Sequence, residues 1–273
     1  MNKPGLQRLE THFEFGENWR DYLANVDDDA IREAERGLLD LLPREAITGS
    51  RFIDIGCGSG LHSLAALRLG AAEVVAVDID PNSVSAARDL LNRYAPGAPV
   101  TIRELSIFDA HREELGEFDI VYSWGVLHHT GAMWAAIEKA AGLVRQGGHF
   151  AIALYQKRPT CGFWRLEKRL YTNMAEPVRA AIRGIYKAAF YVGLVVTRRN
   201  PWTYVANYKG KRGMNFHNDV HDWLGGYPYE SATPEEVKTC FARLGFRPIV
   251  ERPRPKDFGL LGTGCAEFTF RRG

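Results

Sequence analysis

Asp54-Ile55-Gly56-Cys57-Gly58-Ser59-Gly60 decides the fold. The stretch follows a short apolar run, Arg51–Ile55, and precedes a helical one, Leu61–Leu69. Glycines at a strand-to-helix junction let the chain turn tightly. They also let backbone N–H groups approach a ligand at the helix N-terminus. Spacing then separates the nucleotide motifs. A dinucleotide fingerprint reads G-x-G-x-x-G. Here the third glycine, Gly60, comes one residue early, and Leu61 stands where that fingerprint has glycine. An acid, Asp54, also precedes the first glycine by two. No Gly-Lys-Ser/Thr follows, which excludes a P-loop.

Downstream, apolar runs alternate with helical periodicity. Glu73–Asp78 reads as a second strand and Pro81–Tyr94 as a helix with proline in its first turn. Pro99–Arg103 and Phe118–Ser123 are the third and fourth strands, Met133–Val144 a helix, and His149–Tyr155 a fifth strand after Gly147-Gly148. This rhythm predicts an α/β, doubly wound, Rossmann-like sheet covered on both faces. Asp78 closes the second strand, where a carboxylate can accept both hydroxyls of a ribose. Ile79 beside it can lie against a flat base. Ser106-Ile107-Phe108-Asp109 after the third strand offers Asp109 as acceptor for an exocyclic amine. All these positions are carboxyl ends of strands, where open α/β sheets bind ligands.

The blocks D-x-G-x-G-x-G, V-D-I-D-P at 77–81, F-D at 108–109 and Phe118-Asp119-Ile120-Val121-Tyr122-Ser123-Trp124-Gly125-Val126-Leu127-His128-His129 stand in this order. With Leu143–Phe150 (LVRQGGHF), the chain resembles a class I S-adenosylmethionine-dependent methyltransferase over roughly residues 48–156, plus the closing helix and strands. The Val126–His129 phrase leans toward small-molecule and quinone O-methyltransferases. The alternatives are a degenerate dinucleotide-binding domain and an S-adenosylmethionine protein performing another transfer. The resemblance implies a seven-stranded sheet with an antiparallel last strand. It implies S-adenosyl-L-methionine as cofactor and S-adenosyl-L-homocysteine as product. It places Asp54 near the methionine amino group, Gly56 and Gly58 along the cofactor, Asp78 at the ribose, Ile79 on adenine and Asp109 at its amine. The backbone around Trp124 would face the methionine moiety. Cys57, Gly60 and Phe108 complete this cofactor set, with Trp19 from the N-terminal segment folding over the pocket.

Outside the core the chain reads differently. Residues 1–48 form a helical cap, with helical spacing over Ala30–Leu42, Pro43 as its stop and an aromatic stretch at 12–22. The core comprises 49–156 and 232–273. The latter opens on a capped helix (Thr233-Pro234-Glu235-Glu236) and ends on two strands, Phe246–Glu251 and Ala266–Phe270. Between them, 157–231 is an insertion without strand rhythm, partly helical from Phe163 to about Thr197 and broken near Pro177.

Charge divides along the same line. The chain of 273 residues carries 35 Lys and Arg against 33 acids, formally +2. Yet residues 157–212 hold 13 Lys and Arg against two acids, +11, which leaves −9 for the remainder. Aromatic residues interleave with these cations. Three readings stand: a solvated helical lid, a lid for an anionic small acceptor, or a surface for RNA or an anionic membrane.

Residues 215–230 gather His217, Asp219, His221 and Asp222 with aromatics and Gly225-Gly226, and read as a loop. A metal site there lacks the supporting Glu of the zincin pattern, so no metal is expected. The catalytic candidates are His221, His217, Asp219 and, after the fourth strand, His128 with its neighbour His129. A near-neutral imidazole suits deprotonation of a hydroxyl. The expected reaction is therefore in-line methyl transfer to a hydroxyl oxygen of a small organic acceptor.

Composition narrows the remaining classes. Hydrophobic residues at 45% and charged at 25% fit a globular chain, not a disordered or fibrous one. Four scattered cysteines signal neither zinc knuckle nor disulfide scaffold. The start, Met1-Asn2-Lys3-Pro4-Gly5, lacks the apolar run of a secretory signal. The longest apolar run, Ala188–Val196, is about half of a membrane span. These features predict a cytoplasmic enzyme; oligomeric state is not written in them.

Overall fold

A computed structural model describes residues 26–206, 216–253 and 264–273. Trp19 and the rest of the aromatic N-terminal stretch lie outside the described residues. So do the side chains of His217, Asp219 and Asp222.

The described residues begin with helices α1 (Asp28–Leu41) and α2 (Arg44–Ile47). It then alternates β1 (Arg51–Ile55), α3 (Leu61–Arg68), β2 (Glu73–Asp78), α4 (Pro81–Tyr94) and β3 (Val100–Glu104). A short helix α5 (Arg112–Leu115) leads to β4 (Phe118–Trp124), α6 (Met133–Gly142) and β5 (Val144–Tyr155). The insertion carries α7 (Cys161–Thr172), α8 (Glu176–Val196), α9 (Pro201–Ala206) and α10 (Phe216–Leu224). Then α11 (Pro234–Arg243), β6 (Phe246–Arg252) and β7 (Cys265–Arg272) close the chain.

The seven strands lie in the order β3-β2-β1-β4-β5-β7-β6. All pairs are parallel except those of β7, which is antiparallel to both β5 and β6. The winding reverses between β1 and β4, the switch point at which such sheets bind ligands. Near-continuous apolar strands follow from burial on both faces. One face sets Ile53, Val75 and Val121 against α6 and α11. The other sets Phe52, Val74 and Ile120 against α1 and α3. Phe241 of α11 stacks on Phe270 of β7 at 3.9 Å, fixing the closing helix on the antiparallel strand. The capping box at Thr233 and Glu236 forms as its sequence spacing implies.

The insertion leaves and re-enters the sheet at one point. Ala232 donates its N–H to the Tyr155 carbonyl at 3.0 Å and accepts from the Lys157 N–H at 2.9 Å. Inside, Tyr171, Phe216, Val220 and Leu224 form a separate small core. One expectation is corrected here. Residues 216–224 are helical, not a loop: Phe216, Val220 and Leu224 recur every four residues and bury one face. The expected break near Pro177 is present between α7 and α8, at 173–175. Pro177 lies in the first turn of α8, where a missing N–H costs nothing.

Candidate active site

The turn after β1 needs its glycines. Gly56, Gly58 and Gly60 all have positive φ, at 74°, 53° and 78°. The Gly56 and Cys57 N–H groups both reach the Val77 carbonyl, at 2.8 and 3.0 Å, tying the turn to β2. A Cβ on Gly56 would fall 2.4 Å from the Val126 side chain. The residue just beyond β4 therefore presses on the turn at the switch point. A Cβ on Gly60 would meet Ala87 at 3.0 Å, so that glycine seats α3 against α4.

Two acids stand beside the turn. Asp54 is buried and accepts from the Ser63 hydroxyl at 2.7 Å. Burial pushes its carboxyl up to about 7; the Ser63 bond opposes this and the Asp78 charge adds to it. Asp78 accepts the Gly58 N–H at 3.0 Å and the Asp80 N–H at 2.9 Å. It is pushed up to about 6, again chiefly by burial. Carboxylates raised chiefly by burial, with the Asp78 charge adding at Asp54 and the Asp80 charge at Asp78, favour a cationic ligand beside them. An ammonium-bearing sulfonium with a ribose fits this set.

Other expected cofactor residues sit around this point. Ile79 is half-buried directly after Asp78, while Asp109 is exposed on a short 3-10 turn, 107–109, beside half-buried Phe108. Cys57 turns its thiol into a small apolar cluster with Ala76 and Ala87, so only its backbone borders the turn. The Trp124 indole runs along the sheet to donate to Glu267 at 2.8 Å. His62, which sequence reasoning passed over, packs on the Tyr122 ring at 5.2 Å, and burial lowers its imidazole to about 4.

On the insertion side, a strap of residues 228–230 clamps the turn after β4. The Glu230 N–H donates to the His128 carbonyl at 2.9 Å. The Glu230 carboxylate accepts from the Met133 N–H at 2.8 Å, capping α6. His129 meets the Pro228 carbonyl through Nδ1 at 2.8 Å. A carbonyl only accepts, so the proton is on Nδ1 and the lone pair on Nε2. His128 has the opposite tautomer. Its Nδ1 accepts from the Tyr155 N–H at 3.4 Å, which places the proton on buried Nε2. Burial, His129 and Lys168 hold the His128 imidazole well below its ordinary range.

Lys168 was visible in sequence only as one of many cations. It is buried on α7, donates to the Trp223 carbonyl and lies 5.7 Å from the Tyr229 ring centroid. Its neighbour Glu167 is pushed up to about 7 by burial, with Lys168 opposing. One turn further along α7, Tyr171 bonds His221 Nδ1 at 2.8 Å, and Arg183 donates to the Tyr171 hydroxyl at 3.0 Å. Arg183 also donates to that Nδ1 at 3.3 Å, and arginine has no acceptor, so Nδ1 carries the lone pair. Burial and these cations lower His221 to about 4. The structure thus brings His128, His129 and Lys168 together and sets His221 within the insertion's own core. Among the described residues no group of three or more His, Cys, Asp or Glu is placed to hold a metal.

Residues 53–150 match the family model of a methyltransferase domain. With the sheet order and the acid-flanked glycine turn, this makes residues 53–150 a methyltransferase domain with the class I, S-adenosylmethionine-dependent fold. The ubiquinone biosynthesis O-methyltransferase of Xanthomonas campestris pv. campestris is 36% identical over 116 residues, 42% of this chain and 47% of the relative. That of Xanthomonas oryzae pv. oryzae is 34% identical over 113 residues, 41% of this chain and 46% of the relative. The chain spans about half the length of the curated relatives it matches. Among solved structures, magnesium protoporphyrin IX methyltransferase from Synechocystis PCC 6803 with bound SAH shares the fold. Its TM-score is 0.53 at 15% identity, over 89% of this chain and 82% of that one. An O-methyltransferase family protein from Burkholderia thailandensis aligns with TM-score 0.53 at 17% identity, over 89% and 57%.

Proposed function

We propose that the chain transfers the methyl group of S-adenosylmethionine to a hydroxyl oxygen of a small organic acceptor. The acceptor enters between the turn after β4 and the insertion. The observation that carries this reading is the His129 tautomer. The Pro228 carbonyl accepts the Nδ1 proton, which makes Nε2 the basic position of the ring.

When bound, the cofactor would supply an electrophilic methyl with a neutral thioether as leaving group, so this chain would need to supply no acid. Asp54 and Asp78 would hold its ammonium and ribose, and Gly56 and Gly58 would let it approach the backbone. His129 Nε2 would take the hydroxyl proton of the acceptor. His128, with its proton on Nε2, donates to an oxygen of the acceptor instead of acting as base. The buried Lys168 ammonium beside it favours an acceptor that is anionic or becomes so. Alignment of this kind supplies up to ~7–11 kcal/mol of the barrier. Proton removal adds about 10²–10⁴-fold.

The test is release of S-adenosylhomocysteine with a panel of phenols, catechols and matched aromatic amines. His129→Gln is expected to lose about 10²–10⁴-fold in turnover, with cofactor affinity unchanged. Full turnover in that variant, or methylation confined to the amines, would refute the assignment. Cofactor-dependent binding of an RNA homopolymer that collapses steeply with salt would favour RNA recognition by the basic insertion instead.

A further inference from the structure

The insertion turns an apolar face outward. Among the described residues, eleven large hydrophobic side chains are exposed, and nine of them lie between 163 and 202. They are not scattered. On α7, Phe163, Leu166 and Leu170 recur at helical spacing along one outward stripe. On α8, Val178, Ile185, Val192, Val195 and Val196 do the same, and the exposed alanines 181, 188 and 189 fill the gaps between them. At 3.6 residues per turn these positions span an arc of roughly 120° without a single charge. The other face of α8 is satisfied separately, with Ile182, Tyr186 and Phe190 packed on the insertion's core and Leu194 buried. A helix that buries one apolar face and exposes another has a second apolar environment to meet.

Charge selects that environment. The segment carries +11. Its two acids offer little to oppose this: Glu176 pairs with Arg179 and Arg183, and Glu167 is partly withdrawn from water beside Lys168. The stripe is flanked by exposed Arg169, and by Arg198 and Arg199 where α8 ends, with Trp202 80% exposed just beyond. A second copy of the chain would bring two such positive faces together. RNA would gain nothing from exposed valines, which do not stack on bases. An aliphatic stripe with a basic rim and an interfacial tryptophan matches one surface, an anionic lipid bilayer. Among the described residues no helix is long and apolar enough to cross a membrane, so the contact is with the surface. We propose that α7 and the outer face of α8 dock this protein on anionic membranes, with the aliphatic stripe entering the headgroup boundary.

Flotation of the full chain with vesicles tests this. Vesicles of phosphatidylcholine mixed with phosphatidylglycerol are expected to carry the protein up, and pure phosphatidylcholine far less. Ile185→Glu and Val192→Glu are both exposed changes that leave the glycine turn and strap untouched. Each should weaken vesicle binding about tenfold or more, with calorimetric affinity for S-adenosylmethionine unchanged. That second readout separates this proposal from the methyl-transfer reading, which it does not need. Undiminished flotation of both variants would overturn the proposal. So would no preference for the anionic vesicles, or wild type dimerising through this face while the variants stay monomeric and the vesicles go unbound.

Discussion

Under the proposed function, with Asp54 holding the cofactor's ammonium, this residue should tie cofactor affinity to pH. Buried beside Ser63, its carboxyl sits near 7 instead of its ordinary 3.8, a displacement equivalent to on the order of 4 kcal/mol between the charged and neutral forms. The raised value sets the sign. With no ligand bound, the stability tied to this group is greatest while the carboxyl is neutral in both states. It is lost progressively as pH rises from 3.8 to about 7 and is constant above. Binding of a cation reverses the preference, because the cofactor's ammonium needs the carboxylate. Binding below pH 7 must therefore release a proton. For one group titrating at about 7, affinity should fall about tenfold from pH 8 to pH 6. Asp78 sits lower, at about 6, and contributes mainly at more acid pH. Asp54→Asn keeps the shape and can still accept from Ser63, but it cannot ionise. Calorimetry with S-adenosylmethionine at pH 6 and 8, in two buffers of different ionisation enthalpy, reads both affinity and released protons. The variant should bind more weakly at pH 8, lose the proton release and show a flat affinity between the two pH values. Its cofactor-free melting temperature at pH 8 should rise. A wild-type pH dependence that survives in Asp54→Asn would refute the reasoning.

Gly56→Ala should lower stability by roughly 2–4 kcal/mol, combining positive φ with overlap on Val126. Adding Val126→Ala should recover the overlap and not the backbone cost. Unchanged melting and unchanged cofactor affinity in the single variant would refute a tight turn. Lys168→Met should cost about 1–3 kcal/mol by taking the donor from the Trp223 carbonyl. It should also move the His128 imidazole up toward its ordinary range, followed by proton NMR through a pH titration. An unmoved His128 titration would show that the two groups do not share a site.

Residues close in sequence were readable because short-range chemistry controls them. β1 and β2 follow from apolar runs bounded by Gly and acids, α4 from Pro81 in its first turn, and α11 from the Thr233 and Glu236 box. Helix α10 was obscured because its polar face is rich in His and Asp, the residues that also make binding loops. Only the four-residue spacing of Phe216, Val220 and Leu224 marked it. The site divides in the same way. Asp54 and Asp78 stand next to the turn they serve. The pressure of Val126 on Gly56, the Pro228 bond that sets the His129 tautomer and the approach of Lys168 to His128 all join residues far apart in sequence. Local pattern carries no trace of those pairings: the first arises when β4 pairs with β1, the other two when the insertion folds back on the turn after β4.

The crossing of the insertion's two ends at Ala232 has a consequence for how this chain can change. A segment that departs and returns through neighbouring hydrogen bonds enters the topology as a loop, whatever its length. Each doubling of such a loop costs only about 0.6 kcal/mol in closure entropy. The seventy-odd residues it holds can lengthen, shorten or be exchanged wholesale. The strand register and the glycine turn need not respond. Under the proposed function, choice of acceptor and affinity for cofactor would then be free to evolve at different rates in one molecule.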